Sequence, residues 1–303
     1  PYYMNTYGFH TIHGRGAAIA TGVKTARPDL SVWLITGDGD CLAIGGNHFI
    51  HAVRRNIDLN IVLFNNKIYG LTKGQYSPTS DRGFVSKSSP YGTVEDPFVP
   101  AELALGARGN FFARAIDVDL KNTTEILAAS ARHKGASVTE VLVNCVIFND
   151  GIHKSIVDKE YRADRTLFLR HGEKMLFGKN REKGIVLDGL KLKAVTIGEG
   201  GYTLDDVLVH DAHEKDNTLH MMLAMMGGDM PVALGVIRRR ACLRRGRTCA
   251  DCRSTGQESH PYAHRFSDAR GNLGSKIIVG RRSTYSVGLR LFYVLLPPVV
   301  NPT

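Results

Sequence analysis

Two oxygen-bearing side chains, Asp38 and Asn66, have the types and spacing to hold one small hard cation between them. Asp38 sits in Gly37-Asp38-Gly39-Asp40, directly after the apolar run Val32-Trp33-Leu34-Ile35-Thr36. Asn66 closes Asn65-Asn66, directly after Ile61-Val62-Leu63-Phe64. Magnesium takes oxygen ligands in an octahedron at about 2.1 Å and usually keeps substrate phosphates in its shell. Asp38 supplies charge, Asn66 a neutral oxygen, and the Ile68 carbonyl in the following turn is a candidate third ligand. Gly37 and Gly39 let the backbone come close to a ligand. The amides that open a helix after Asp40 can donate to phosphate oxygens. The chemistry this suits is a magnesium ion bound to a diphosphate. A bare turn also favours Gly and Asp, so the Gly-Asp-Gly triplet alone says little. The same triplet with Asn-Asn one crossover later, each after an apolar run, says much more.

Such a site needs two parallel strands joined by a helix. Each apolar run reads as a short buried strand flanked by turn residues. Residues 41–55 read as the crossover helix, with Leu42, Phe49, Ile50 and Val53 at helical spacing and Arg54-Arg55 at its C-terminal end. Ligands in such sheets bind at the carboxyl ends of the strands, where neighbouring strands lie about 4.8 Å apart. Residues 14–27 read as a helix before the first strand, and 67–95 as a long polar loop placed to wrap the ligand. Helices over 97–107 and 121–133 alternate with strands over Phe111–Ile116 and Val138–Val143. This alternation predicts an α/β fold, an open and mostly parallel sheet with helices on both faces. Residues 154–170 read as helical, and 185–197 as a hairpin turning at Asp188-Gly189. Three segments follow: a ligand-binding domain over 1–150, an extension over 151–238 that packs on the core or on a partner, and an Arg-rich tail over 239–303.

The net charge of +10 invites a nucleic-acid reading. Its distribution argues against one, because residues 239–303 hold 12 basic and 3 acidic residues while the body holds 27 and 26. The tail's Arg bias and lost periodicity suggest a shifted reading frame or a disordered extension. Cys249 and Cys252 with His260 and His264 have a zinc-like composition, but the gap between the pairs is short for a finger. No run of 18 or more apolar residues is present, so no membrane span is expected. Five cysteines, Cys41, Cys145, Cys242, Cys249 and Cys252, do not read as a disulfide framework. A reducing, cytoplasmic setting fits them better. Cys41 reads as a packing residue, and Cys145, taken alone, as a core thiol ending an apolar strand.

The Gly-Asp-Gly to Asn-Asn block resembles the thiamine-diphosphate motif. With Tyr2-Tyr3-Met4-Asn5-Thr6-Tyr7-Gly8, His10-Thr11-Ile12-His13-Gly14-Arg15 and Tyr69-Gly70-Leu71-Thr72-Lys73-Gly74-Gln75-Tyr76-Ser77-Pro78-Thr79-Ser80, it resembles the β subunits of 2-oxoacid:ferredoxin oxidoreductases, especially those acting on 2-oxoglutarate. The resemblance implies a thiamine-diphosphate-binding fold and oxidative decarboxylation of a 2-oxoacid to acyl-CoA, with electrons passed to ferredoxin. It implies magnesium on Asp38, Asn66 and Ile68, and a cofactor contacted by Gly37, Asp38, Gly39, Asp40, Asn66, Ile68, Tyr69, Gly70, Leu71 and Thr72. His13 is the candidate catalytic side chain, with Arg15 beside it for the diphosphate or the substrate carboxylate. Asp40 either orients the Asp38 turn or caps the helix. Cys145 would complete a four-iron ([4Fe-4S]) cluster whose other three ligands lie upstream of Pro1. The carboxylate that works on the aminopyrimidine ring would come from a partner α subunit. The same chemistry on pyruvate or a branched-chain 2-oxoacid is the nearest alternative, and an inactive fragment lacking its iron–sulfur ligands is another.

Overall fold

The computed structural model describes residues 6–241 and 293–296. Its centre is a run of four parallel strands, β2 (Trp33–Gly37), β3 (Asn60–Asn65), β5 (Ser137–Leu142) and β4 (Phe111–Ile116), side by side in that order. β10 (Val232–Arg239) adds antiparallel to β4, and β6 (Thr166–Leu169) adds parallel to β10. At the other edge β11 (Tyr293–Leu296) pairs antiparallel with both β2 and β1 (Tyr7–His10). The extension therefore contributes β6 and β10 to the main sheet. It also forms a three-stranded antiparallel sheet of β7 (Leu176–Phe177), β8 (Lys183–Asp188) and β9 (Lys191–Thr196).

Helices cover both faces. α1 (Gly16–Ala26), α2 (Gly46–Arg54) and α3 (Pro100–Gly106) bring Ala17, Ala20, Phe49, Val53, Ala104 and Leu105 into a core with Leu34, Ile61, Leu63, Phe112 and Val138. α4 (Leu120–Arg132) sets Ile126 and Ala129 on the opposite face against Val62, Phe111, Ala113, Ala115 and Val141. These central strands are near-continuous apolar runs because both of their faces are buried. The open, mostly parallel sheet expected from the sequence is the sheet observed. Among the described residues, no helix is long and apolar enough to cross a membrane.

The helices and strands expected up to residue 143 fall within three residues of those observed, apart from the crossover helix. The crossover is not one helix. A π-helical turn, Asp40–Ile44, precedes α2, and the Gly45 amide donates to the Asp40 carbonyl at 3.0 Å. A side chain at Gly45 would overlap that carbonyl, so the glycine permits the wide turn. Leu42, Phe49 and Val53 are buried as their spacing implies, whereas Ile50 is 36% exposed. Residues 154–170 are not one helix either. They form α5 (Lys154–Val157), α6 (Arg162–Arg165) and β6, because Leu167 and Leu169 find burial by pairing with β10. The 185–197 hairpin forms, with Gly189-Leu190 as its two-residue turn. α7 (Thr218–Ala224) leads into β10. Residues Cys242, Cys249, Cys252, His260 and His264 lie outside the described residues, as does most of the tail.

Candidate cofactor site

β2 and β3 are direct neighbours, with Gly37 level with Phe64, so Asp38 and the Asn65-Asn66 pair emerge side by side at the carboxyl end of the sheet. Asp38 is 2% exposed. The hydroxyls of Ser77 and Thr79 both donate to its Oδ2 at 2.6 Å. Neither engages Oδ1. Among the described residues Asp38 forms no ion pair, so a buried carboxylate is held by neutral groups alone. Burial pushes its pKa above the usual aspartate range, and the two hydroxyls and the Gly39 amide oppose that shift. Buried charges are ordinarily paired or bound to a metal.

On the neighbouring strand, Asn66 Oδ1 accepts from the Ile68 amide at 3.3 Å, and Asn65 Oδ1 from the Lys67 amide at 3.2 Å. Both bonds fold the turn, and Lys67 takes a positive φ of 53° within it. Ile68 is buried at 3% exposure. Asn65 also donates through Nδ2 to Glu140 at 2.8 Å.

Asp40 does not cap the helix. It reaches back to the segment before α1, accepting from the Gly14 amide at 2.5 Å and from Thr36 Oγ1 at 2.7 Å, with His13 Nδ1 at 2.8 Å. Burial raises its pKa too, against the pull of Thr36, Gly14 and His13. His13 is thereby fixed beside the Asp38 turn, with its ring edge-on to Tyr69 at 5.8 Å between centroids. Arg15 Nη1 lies 2.8 Å from His48 Nε2, which ties α1 to α2.

Tyr69 closes over the turn, its hydroxyl donating to the Gly39 carbonyl at 2.6 Å. Burial first, then Asp38 and Asp40, push the phenol's pKa to about 12, so it remains a donor. Gly70, Leu71 and Thr72 continue the loop; Thr72 is exposed and reaches only the Tyr69 carbonyl, at 3.5 Å. The structure thus brings His13, Gly37, Asp38, Gly39, Asp40, Asn66, Ile68 and Tyr69 to one end of the sheet and leaves Thr72 at the loop surface. A cavity of about 620 Å³ adjoins them, lined by Ala43, Tyr69, Tyr76, Ser77 and Phe98 among others, a volume in the range of small-ligand sites.

Sequence reasoning assigned no role to Ser77, Thr79, Asn65 or Glu140. The Ser77-Pro78-Thr79-Ser80 cluster was the available signal, since hydroxyls so dense in a loop need acceptors if buried.

Cys145 is half-buried in a tight turn closed by the Asn149 amide on the Cys145 carbonyl at 2.9 Å. Asn149 Nδ2 also donates to the Asn66 carbonyl at 3.0 Å, joining this turn to the one at the end of β3. Val146 and Ile147 beside it are 74% and 77% exposed. Cys41 is buried, and burial drives its thiol well above the usual range, which suits packing rather than reactivity.

Among the described residues, no group of three or more His, Cys, Asp or Glu side chains could hold a metal by itself. A cation at Asp38 would have to be completed by amide, carbonyl and ligand phosphate oxygens, which is the mixture magnesium accepts. The donor set therefore fits magnesium carried on a diphosphate.

Fold and site together define a thiamine-diphosphate-binding domain. Residues 1–141 match the family model described as thiamine pyrophosphate enzyme, C-terminal TPP binding domain. The chain is similar to the β subunits of 2-oxoacid:ferredoxin oxidoreductases. It is 53% identical over 216 residues to 2-oxoglutarate oxidoreductase subunit KorB of Mycobacterium tuberculosis, covering 71% of this chain and 57% of that one. It is 46% identical over 165 residues to 2-oxoacid:ferredoxin oxidoreductase 1, subunit beta, of Aeropyrum pernix, covering 54% of this chain and 50% of that one. The solved 2-oxoglutarate:ferredoxin oxidoreductase from Magnetococcus marinus, with 2-oxoglutarate, coenzyme A and succinyl-CoA bound, aligns with a TM-score of 0.60 and 27% identity, over 91% of this chain and 75% of that one. The chain spans about half the length of the curated relatives it matches.

Proposed function

We propose that this chain carries the magnesium and diphosphate half of a 2-oxoglutarate:ferredoxin oxidoreductase active site. The observation that carries this reading is Asp38, a buried carboxylate without a cationic partner among the described residues, standing at the end of β2 beside the Asn66 turn of β3. Thiamine diphosphate supplies the electron sink that lets a 2-oxoacid lose carbon dioxide. Asp38, Asn66 and the Ile68 carbonyl hold magnesium, and the Gly37–Asp40 turn with Tyr69 holds the diphosphate. Asp40 sets the orientation of His13 and makes Nδ1 its protonated nitrogen, so the ring is placed beside the reacting groups. Cys145 contributes one ligand to the four-iron cluster that takes the electrons on to ferredoxin.

The α subunit supplies the carboxylate for the aminopyrimidine ring, since none of this chain's glutamates lies in a matching motif. Coenzyme A takes the acyl group. The names of the KorB relatives favour 2-oxoglutarate over pyruvate or a branched-chain 2-oxoacid. The test is co-purification with the neighbouring subunit, followed by assay of several 2-oxoacids with coenzyme A and ferredoxin. The complex turns over 2-oxoglutarate fastest and the isolated chain turns over none. Robust activity of the isolated chain would refute the shared site.

A further inference from the structure

Arg114 and Glu140 form an ion pair in the middle of the parallel sheet, Nε to Oε2 at 2.7 Å, with side chains 6% and 2% exposed. A pair buried this deeply adds little stability over well-packed apolar residues, so its position calls for another reason. Glu140 has a second partner. Its Oε1 accepts from Asn65 Nδ2 at 2.8 Å, and the opposite end of that amide, Oδ1, lies 2.9 Å from Thr79 Oγ1. Thr79 in turn touches Asp38 at 2.6 Å. A line of close polar contacts thus runs from β4 through β5 and β3 to the carboxylate at the end of β2, with the single Thr79 hydroxyl proton shared between Asn65 Oδ1 and Asp38 Oδ2. Arg114 is itself held from the far side, within 3.3 Å of the Ala224 carbonyl and 3.5 Å of the Ala233 carbonyl.

The amide of Asn65 can stand only one way in this chain. A carboxylate accepts and cannot donate, so Nδ2 must face Glu140. The Lys67 amide donates and cannot accept, so Oδ1 must face it and, with it, Thr79. We infer that Arg114 and Glu140 are positioning residues of the metal site: they lock the Asn65 amide, and through it seat Thr79 and the 77–80 turn on Asp38. This rests on the reading of Asp38 as a magnesium ligand. Partners bonded directly to metal ligands typically change metal affinity by about 10- to 100-fold when lost; Glu140 stands three contacts from Asp38, so a smaller fall is expected.

The test is a calorimetric magnesium titration of the full-length complex at fixed thiamine diphosphate, with melting temperatures recorded without magnesium. In Glu140→Gln the new side chain gives its oxygen to Arg114 and turns its NH₂ toward Asn65, which forces that amide to rotate. Magnesium affinity falls by about 3- to 10-fold, below the range for directly bonded partners. In the double variant Arg114→Met/Glu140→Leu the buried charge is gone, the melting temperature stays near that of the wild type, and magnesium affinity falls as far. Glu140→Gln, nearly isosteric, decides the matter if the double variant does not fold. Unchanged magnesium affinity in a folded variant would overturn the assignment, because a merely structural pair moves the melting temperature and not the affinity. Asp38→Ala is run in parallel. If it keeps magnesium-dependent binding, the metal-site reading itself fails; if it loses binding while Glu140→Gln keeps it, only the positioning role fails.

Discussion

The ring of Tyr69 lies on the Cα of Gly39, and its hydroxyl donates to the carbonyl of that same glycine at 2.6 Å. Gly39 has ordinary helical angles, φ −62° and ψ −45°, so its backbone does not demand glycine. The space does. A Cβ there would stand 2.5 Å from two ring carbons. Gly39→Ala must therefore displace Tyr69 and break its hydrogen bond, at a cost of about 1–3 kcal/mol. Tyr69→Phe keeps the ring and loses only the bond, about 1 kcal/mol. Thermal melts should rank the two in that order, with the thiamine diphosphate affinity of Gly39→Ala falling in parallel. Equal effects would show that the contact between ring and backbone does not matter.

Asp38→Ala removes the carboxylate that directly follows β2. Calorimetry should show magnesium-dependent binding of thiamine diphosphate abolished. The apoprotein should not be destabilised in proportion, because the wild-type carboxylate is buried with neutral partners only and its pKa is raised by that burial. Unchanged binding would remove Asp38 from the site.

Acid lability should come from elsewhere in the molecule. His133 and His210 are buried, and burial is the first cause lowering each pKa from 6.5 to about 4. Each ring also has one nitrogen without a hydrogen-bond partner, Nε2 in His133 and Nδ1 in His210. The unfolded chain takes up these protons near pH 6.5 and the folded chain only near pH 4. Stability from these groups is therefore complete above pH 6.5 and drains away as the pH falls toward 4. At pH 5 each costs about 2 kcal/mol relative to neutrality. Urea melts at pH 7 and pH 5 measure this, and His133→Leu should reduce the difference by about 2 kcal/mol. No change in slope would place the acid sensitivity on other groups.

What the sequence made legible was whatever repeats a local rule. The Gly-Asp-Gly turn, the Asn-Asn turn and the alternation of strands and helices each announce themselves within a few residues, and the open, mostly parallel sheet followed from them, though its strand order did not. Partnerships across the fold did not. Ser77 and Thr79 reach Asp38 from 39 and 41 residues away, in a stretch whose composition reads only as loop. Glu140 sits in a strand with all six residues buried, where a charge would ordinarily argue for a solvent-facing position. Its burial depends on Arg114, 26 residues earlier, and nothing in the spacing links them. The wide turn at Asp40–Ile44 was hidden because Leu42, Phe49 and Val53 keep helical spacing through the irregularity. Residues 166–169 read as helix because four consecutive residues cannot distinguish a buried strand from a helix turn.

The proposed cluster role of Cys145 can be separated from cofactor binding. This residue lies beyond the end of β5, and its turn is tied to the Asn66 turn by Asn149. The proposed metal-site oxygens of Asp38 and Asn66 follow other strands, β2 and β3. If Cys145 is a cluster ligand as proposed, Cys145→Ser in the assembled complex should lose the iron–sulfur absorption and the reduced-cluster paramagnetic signal, since a hydroxyl is a poor substitute for a thiolate ligand. Magnesium-dependent binding of thiamine diphosphate should remain within about twofold of the wild type, because the main-chain bonds that hold the turn are untouched. Ferredoxin reduction then stops while cofactor binding persists. An intact cluster in Cys145→Ser would assign the fourth ligand to another residue, and a parallel loss of thiamine diphosphate would mean that the Asn149 link carries more of the site than its single side-chain bridge implies.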